Sequence, residues 1–376
     1  MKKTGGRKFH IQKPGKRVLR LLIAVGICLL LFLALTVFRS KSTSALPDMH
    51  GAERFAPEGG YAQIGCYFAE RVTVEPERYR EFNYRVESAL TTNSIGKDED
   101  NPDARLFLDC YSMEGSVTLV HERKTVEAKA IGTGGDFFFF HPVELVSGMH
   151  YMVDALMKDQ VLIDETVAWQ LFGGYDVAGQ TVEIGGTSYV VSGVAKSGSG
   201  RMLKAAGSEG ALVFLPAEGL RADGALRHDA DRINCYELIM PDPVDGFAAK
   251  LIRETLGFDE ESMHLADQTK RFGSFSLLSV LTDYGTRSMT GAAISYPYWE
   301  NLARGTEDIL APVVVLQALC LLVPVILIVI EIVHRYRHKE WTAQGIVTKI
   351  GDSVYNLRAK KYAEKKKKKI NTEKSG

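Results

Sequence analysis

The sequence predicts an α+β protein. A two-helix membrane anchor flanks an exported domain made of a split β-α-β layer with an inserted β-rich subdomain. Three observations carry this reading. Two long apolar segments, 21–38 and 309–331, stand toward the two ends of the 376 residues. The charge between them is opposite in sign to the charge outside them. A strand–helix–strand pattern occurs twice, on either side of a stretch of short strands and glycine turns.

Residues 1–20 form a basic arm with eight cations, among them Lys2, Lys3, Arg7 and Arg20, and no acid. Residues 21–38 are apolar and uncharged over about 18 positions, enough for one bilayer crossing. Thr43-Ser44-Ala45 offers a small-residue cleavage site and so a rival signal-peptide reading. The apolar run exceeds the roughly 7–15 residues of a signal core, which favours an uncleaved anchor. The second segment, 309–331, contains Pro312 and Pro324, which a membrane helix tolerates when neighbouring groups re-satisfy the backbone. Beyond it, 332–376 is a basic tail with thirteen Lys and Arg against four acids. The lysine-rich run at 360–369 repels itself and is expected to be disordered. Basic flanks before the first segment and after the second predict a two-pass protein with both termini cytoplasmic and the main domain outside.

Between the flanks, residues 21–331 carry 25 basic against 42 acidic residues. A part this acidic excludes nucleic acid as a partner, since phosphate contacts need positive charge. Cys66, Cys110 and Cys235 lie in it, and no CxxC occurs. The thiols read as buried and free, and a disulfide between two of them stays open.

Residues 39–60, rich in Ser, Pro and Gly, read as a tether. The membrane-proximal subdomain begins at 61–147. Its first strand is 62–69, and Pro76 opens a helix with an apolar stripe at Tyr79, Phe82, Val86 and Leu90. A polar loop, 93–103, follows, then strands at 106–111, 116–120 and 125–131. The pattern recurs in the second half, 233–296: a strand at 235–240, a helix striped by Phe247, Leu251, Ile252 and Leu256, and a strand at 263–267. Cys66-Tyr67 and Cys235-Tyr236 take matching places in the two halves, which reads as an internal duplication. Residues 273–291 are mixed in period and receive no assignment. Pro297 starts a stalk helix, 297–308, with no break before the membrane segment except Gly305 and Pro312. Trp299 lies about ten residues above that segment, roughly 15 Å at helical rise, and so packs on the domain rather than in lipid.

The inserted upper subdomain, 148–232, holds the most legible stretch. Val161-Leu162-Ile163 is a buried strand, 165–172 a helix that Gly173-Gly174 stops, and Gly185-Gly186 a hairpin turn between strands at 181–184 and 187–191. Residues 196–210, rich in Gly and Ser, read as a flexible loop before a strand at 211–215.

Six words in this region appear in a set order: Gly135-Asp136-Phe137-Phe138, Leu145-Val146-Ser147-Gly148, Val161-Leu162-Ile163-Asp164-Glu165, Ala168 with Leu171-Phe172-Gly173, Gly179-Gln180-Thr181-Val182, and Tyr189-Val190-Val191-Ser192-Gly193-Val194. Together they resemble the MacB-like extracytoplasmic core domain of certain ABC-transporter permeases. The resemblance implies a lower subdomain built from both flanks and an upper one inserted in it. It also implies a domain on helical stalks that couples ATP hydrolysis inside to movement outside. The partners it implies are an ABC ATPase and permease subunits, with a homodimer or heterodimer through stalk and membrane helices. The chain departs from a full permease in having two membrane segments rather than four and no Walker motif.

A search for chemistry yields no catalytic, cofactor-binding or metal-binding residue, and no cofactor. His50, His121, His141, His150, His228 and His264 show no i, i+4 pairing, and HExxH and GxSxG are absent. His141 reads as a histidine at a strand end, following a Phe137–Phe140 strand whose residues alternate between layers. His334 and His338 belong to the basic collar. Asp98, Glu99, Asp100 and Asp103 resemble a calcium loop but lack its Gly and distal Glu. Asp164-Glu165 suits the N-terminus of the following helix. The expectation is a non-enzymatic component of an export or mechanotransmission complex, or else a free-standing envelope sensor or scaffold.

Overall fold

The computed structural model describes residues 16–75, 77–96, 105–153, 156–208, 210–222, 232–283, 294–337 and 355. Pro76, the calcium-like acids at 98–103, His228, His338 and the lysine run at 360–369 lie outside them. The elements are α1 (Lys16–Ser44), a 3-10 turn (Pro47–His50), α2 (Gly51–Phe55), β1 (Tyr61–Phe68), α3 (Glu77–Thr92), β2 (Leu108–His121), β3 (Lys124–Gly135), α4 (Phe137–Phe140), β4 (Leu145–Gly148), β5 (Gln160–Asp164) and α5 (Glu165–Phe172). There follow β6 (Thr181–Ile184), β7 (Thr187–Ala195), α6 (Arg201–Ala205), β8 (Leu212–Pro216), α7 (Ala217–Ala222), β9 (Cys235–Pro241), α8 (Phe247–Leu256), β10 (Met263–Asp267), α9 (Ser274–Val280) and α10 (Tyr298–Arg337).

The chain divides into two units. One joins Met1–Leu33 to Gln317–Gly376 and holds most of both apolar segments. Within it Arg17 Nη1 lies 3.0 Å from His334 Nε2. Both α1 and α10 are long and apolar enough to cross a membrane.

The other unit, Ala34–Leu316, is a mixed sheet with the order β10-β1-β9-β2-β3-β8-β5-β7-β4, and β6 pairs with β2 and β7. The first four strands are mutually antiparallel at each contact. With α3 and α8 they make the β-α-β-β-α-β ferredoxin-like layer, interrupted between β2 and β9 by everything from β3 to α7. The two Cys-Tyr dipeptides meet in its middle: Cys66 pairs with Tyr236 and Tyr67 with Cys235. One sheet face carries Ile64, Cys66, Phe68, Tyr236 and Leu238 against Phe82, Val86 and Leu90 of α3 and Ala248 and Ile252 of α8. The stripes read from the sequence are the stripes that pack.

The central stretch folds as its pattern dictates. Asp164 Oδ1 accepts the Val167 N–H at 2.9 Å and caps α5. Gly173 ends it at φ 77°, and Gly185 and Gly186, at φ 58° and 91°, close the β6–β7 hairpin.

Four expectations need correction. Residues 39–60 are not a loose tether: α1 runs to Ser44, and Leu46, Met49 and Ala52 are buried. Their i, i+3 spacing is an apolar stripe that the Ser and Pro content obscured. Residues 106–121 hold one 14-residue strand in place of two, because β3 pairs without a break past Gly115, which faces Ala130. Phe137–Phe140 is a helical turn rather than a strand. Gly135 at φ 65° turns the chain after β3, and the Asp136 N–H bonds to the Asp109 carbonyl at 2.9 Å. Phe137 and Phe140 then face inward, three residues apart. Finally, 196–210, read as a flexible loop, contains α6. Residues Ser274–Val280, within the unassigned stretch, form α9, whose Leu277 packs on Leu310 and Val314 of α10.

Candidate functional site

Alternation along the strands puts the second side chain set of β1, β2 and β9 on the face away from α3 and α8. That face carries Gln63, Tyr67, Cys110, Cys235 and Glu237, all buried. Sheet polar groups need partners when buried, and here the partners come from elements far away in sequence. The first turns of α10 supply Trp299, Glu300, Ala303 and Glu307; the 3-10 turn supplies Asp48; the end of α4 supplies His141.

The first cluster is built round Arg271, which lies just after β10 and is buried between the sheet and α10. Its Nη1 and Nη2 donate to the two Glu300 oxygens at 2.6 and 2.9 Å, and its Nε donates to Glu307 Oε1 at 2.8 Å. Nη1 also donates to Gln268 Oε1. The Tyr67 hydroxyl donates to Glu300 Oε2 at 3.0 Å. Burial works against the guanidinium charge, but Glu300 and Glu307 outweigh it and hold Arg271 ionised well above its usual range. Burial likewise opposes the Glu300 charge, and Arg271 overcomes it, lowering that carboxyl below its ordinary value. Glu300 and Glu307, about two helical turns apart on α10, are thus bridged by one arginine from the sheet side.

The second cluster centres on His141. Nε2 lies 2.6 Å from Glu237 Oε2, and Nδ1 lies 2.8 Å from Asp48 Oδ1. Its ring stands 4.2 Å from the Trp299 indole. Burial alone would lower its pKa, but Glu237 and Asp48 prevail and raise it to about 9, so both ring nitrogens donate. Cys110 pairs with Glu237 across β2 and β9. Its thiol, the His141 ring and the Glu237 carboxylate each offer an atom within 4.8 Å of the others. Burial, with Glu237 adding to it, pushes the thiols of Cys66, Cys110 and Cys235 up, away from nucleophilic thiolates. All three are free. A cleft of about 1100 Å³ opens beside this cluster, lined by Asp48, His141, Ser197, Arg201, Tyr298 and Leu302 among others.

The sequence reading of His141 as a strand-end histidine is therefore corrected: it follows a helical turn and is enclosed by carboxylates 93 and 96 residues away. No local spacing could have signalled that. Three other described histidines meet oxygen atoms. His50 meets Glu53 at 3.0 Å, His121 the Thr181 carbonyl at 2.9 Å, and His150 the Val143 carbonyl at 3.0 Å.

Residues 18–250 match the model of the family described as the MacB-like periplasmic core domain. No curated protein matches the chain. Among solved structures, the periplasmic region of MacB from Actinobacillus actinomycetemcomitans is 14% identical, covers 61% of this chain and 94% of its own, and has a TM-score of 0.39. The extracellular domain of the noncanonic ABC-type transporter YknZ from Gram-positive bacteria is 15% identical, covers 55% and 100%, and scores 0.35. A domain of a permease from Porphyromonas gingivalis is 18% identical, covers 55% and 88%, and scores 0.31. At such scores the structures add nothing to the family match.

Proposed function

The chain belongs to the MacB-like periplasmic core domain family, and from that premise we propose that it is a non-enzymatic, extracytoplasmic component of an ABC-type export or mechanotransmission complex. Its partners are an ABC ATPase and permease subunits supplied by other chains, with dimerisation through the stalk and membrane helices. Both termini are cytoplasmic; the basic flanks and the Arg17–His334 contact, which brings those flanks together, support this. In this reading the membrane-proximal layer is 61–147 with 233–296, and the upper subdomain is 148–232. Met149, Met152, Leu156 and Met157, four exposed apolar side chains within nine positions, support a protein partner at the upper part.

One observation carries the mechanical part of the proposal: Arg271 grips Glu300 and Glu307 of α10 in a buried fork. The same unbroken helix, Tyr298–Arg337, contains the apolar span. A helix locked to its domain transmits displacement, whereas a flexible joint absorbs it. Inserting several Gly-Ser residues after Asp308 leaves the Arg271 lock in place and interrupts the helix beyond it. Membrane abundance should be unchanged, and the transport or resistance phenotype seen on deletion of the gene should appear. Full activity at normal abundance refutes the stalk mechanism. Co-purification in mild detergent tests the partners: repeated recovery without an ATPase or permease removes the transporter reading and leaves a sensor or scaffold.

A further inference from the structure

We infer that Cys110, His141 and Glu237 form a site for one zinc-class divalent cation, with Asp48 holding the histidine ring from behind. Three donor types that suit zinc converge here: a thiol, an imidazole and a carboxylate. Each offers an atom within 4.8 Å of the other two, and all three side chains are buried. Their elements are far apart in sequence but fixed to one another: Cys110 and Glu237 are cross-strand partners, and His141 closes α4 above them.

A buried ion pair explains only part of this arrangement. His141 with Glu237 and Asp48 satisfies three groups, but Glu237 Oε1 remains buried with no hydrogen-bond partner. A carboxylate oxygen so placed carries an unmet electrostatic demand, which a cation beside it would meet. Cys110 has no role in the ion pair, yet its sulfur stands in the same cluster. A tetrahedral zinc, with bonds of about 2.0–2.3 Å, needs donors roughly 3.3–3.8 Å apart, so His141 Nε2 and Glu237 Oε2, now 2.6 Å apart, must separate while the Cys110 sulfur stays within reach of both.

The second layer fits as well. When Nε2 turns to the metal, Nδ1–H still donates to Asp48 at the distance already present, 2.8 Å. That is the carboxylate–histidine–metal arrangement that sets the ring's tautomer and basicity. Binding displaces the Nε2 proton of His141 and the Cys110 thiol proton. The cleft lined by His141 and Asp48 gives an entry path. Such an ion would tie β2, β9, α4 and the 3-10 turn together directly beneath Trp299 of α10.

Cobalt is the probe, because its bond to a thiolate produces a sulfur-to-metal charge-transfer band. Full-length protein in mild detergent, reduced and stripped with a chelator, is titrated with Co²⁺ and then with Zn²⁺. The expected result is one saturable equivalent, the band, and its loss on adding one equivalent of Zn²⁺. Cys110→Ser should abolish the band. Cys66→Ser, on the opposite sheet face, should keep it. Asp48→Asn should weaken Zn²⁺ affinity by about 10–100-fold. X-ray absorption on the wild-type zinc form needs no variant, and should count one sulfur neighbour. Absence of saturable binding, a band surviving in Cys110→Ser, a band lost in Cys66→Ser, or a sulfur count other than one would each overturn the assignment and leave a buried ion pair only.

Discussion

Replacing Arg271 by methionine tests the domain–stalk lock directly. The variant keeps the aliphatic bulk and removes five donated hydrogen bonds, two to Glu300 and one each to Glu307, Gln268 and the Met49 sulfur. Glu300 and Glu307, both buried, then lose the cation that bridges them. Breaking a buried pair from one side costs about 3–5 kcal/mol, because the surviving charge keeps its desolvation penalty. For a domain of this size each kcal/mol moves the midpoint by about 2–4 °C, so the melting temperature should fall by roughly 6–20 °C. The assay is thermal unfolding of the detergent-solubilised chain at neutral pH, at low and high salt. A buried pair is screened little, so the loss should persist in salt. Arg271→Met with Glu300→Gln should recover part of it, since Gln still accepts from Tyr67. A variant that melts within about 2 °C of the parent, or a loss that salt erases, would show that the fork is a surface ion pair and refute the lock.

Further outcomes follow from the same geometry. The Glu300 carboxyl is held below its ordinary value of 4.5, so its contribution is complete above that pH and is lost as pH falls through the depressed folded value. Glu300→Gln should therefore destabilise at pH 7 and flatten the acid limb of stability against pH; parallel limbs would contradict the assignment. Gly186→Val places a β-branched residue at φ 91° with open space around it, so the cost is backbone strain alone, about 1–3 kcal/mol by denaturant titration. An unchanged midpoint would mean the turn adopts another conformation in solution. Asp164→Ala removes the cap bond to Val167 and the contact from Ser197 Oγ at 3.0 Å, and should cost about 0.5–2 kcal/mol, whereas Asp164→Asn should cost much less.

What the sequence determined by itself is what repeats locally. Helical stripes at Phe82, Val86 and Leu90 and at Leu251, Ile252 and Leu256 mark one buried side of α3 and α8. Gly173 and Gly185-Gly186 mark a helix stop and a hairpin, because those φ values are open to glycine and costly to most other residues. The apolar lengths of 21–38 and 309–331 and the charge around them mark the anchor. The matching places of Cys66-Tyr67 and Cys235-Tyr236 were visible too, although their pairing was not. Tertiary structure decided everything in which one group's state depends on another far along the chain. Four consecutive phenylalanines have the composition of a strand, yet the turn at Gly135 and the pocket facing Phe214 and Trp299 make them helical. A run of Ser and Pro after α1 reads as a linker until Leu46, Met49 and Ala52 find an apolar face to cover. Neither Arg271 nor His141 stands out in the sequence, since a charge becomes informative only when burial removes its water. Their carboxylates come from 29 and 36 residues away for Arg271, and from 93 and 96 for His141. The fold alone brings those acids together, because an isolated charge cannot be buried and the chain must close on its partner for the face to be covered at all.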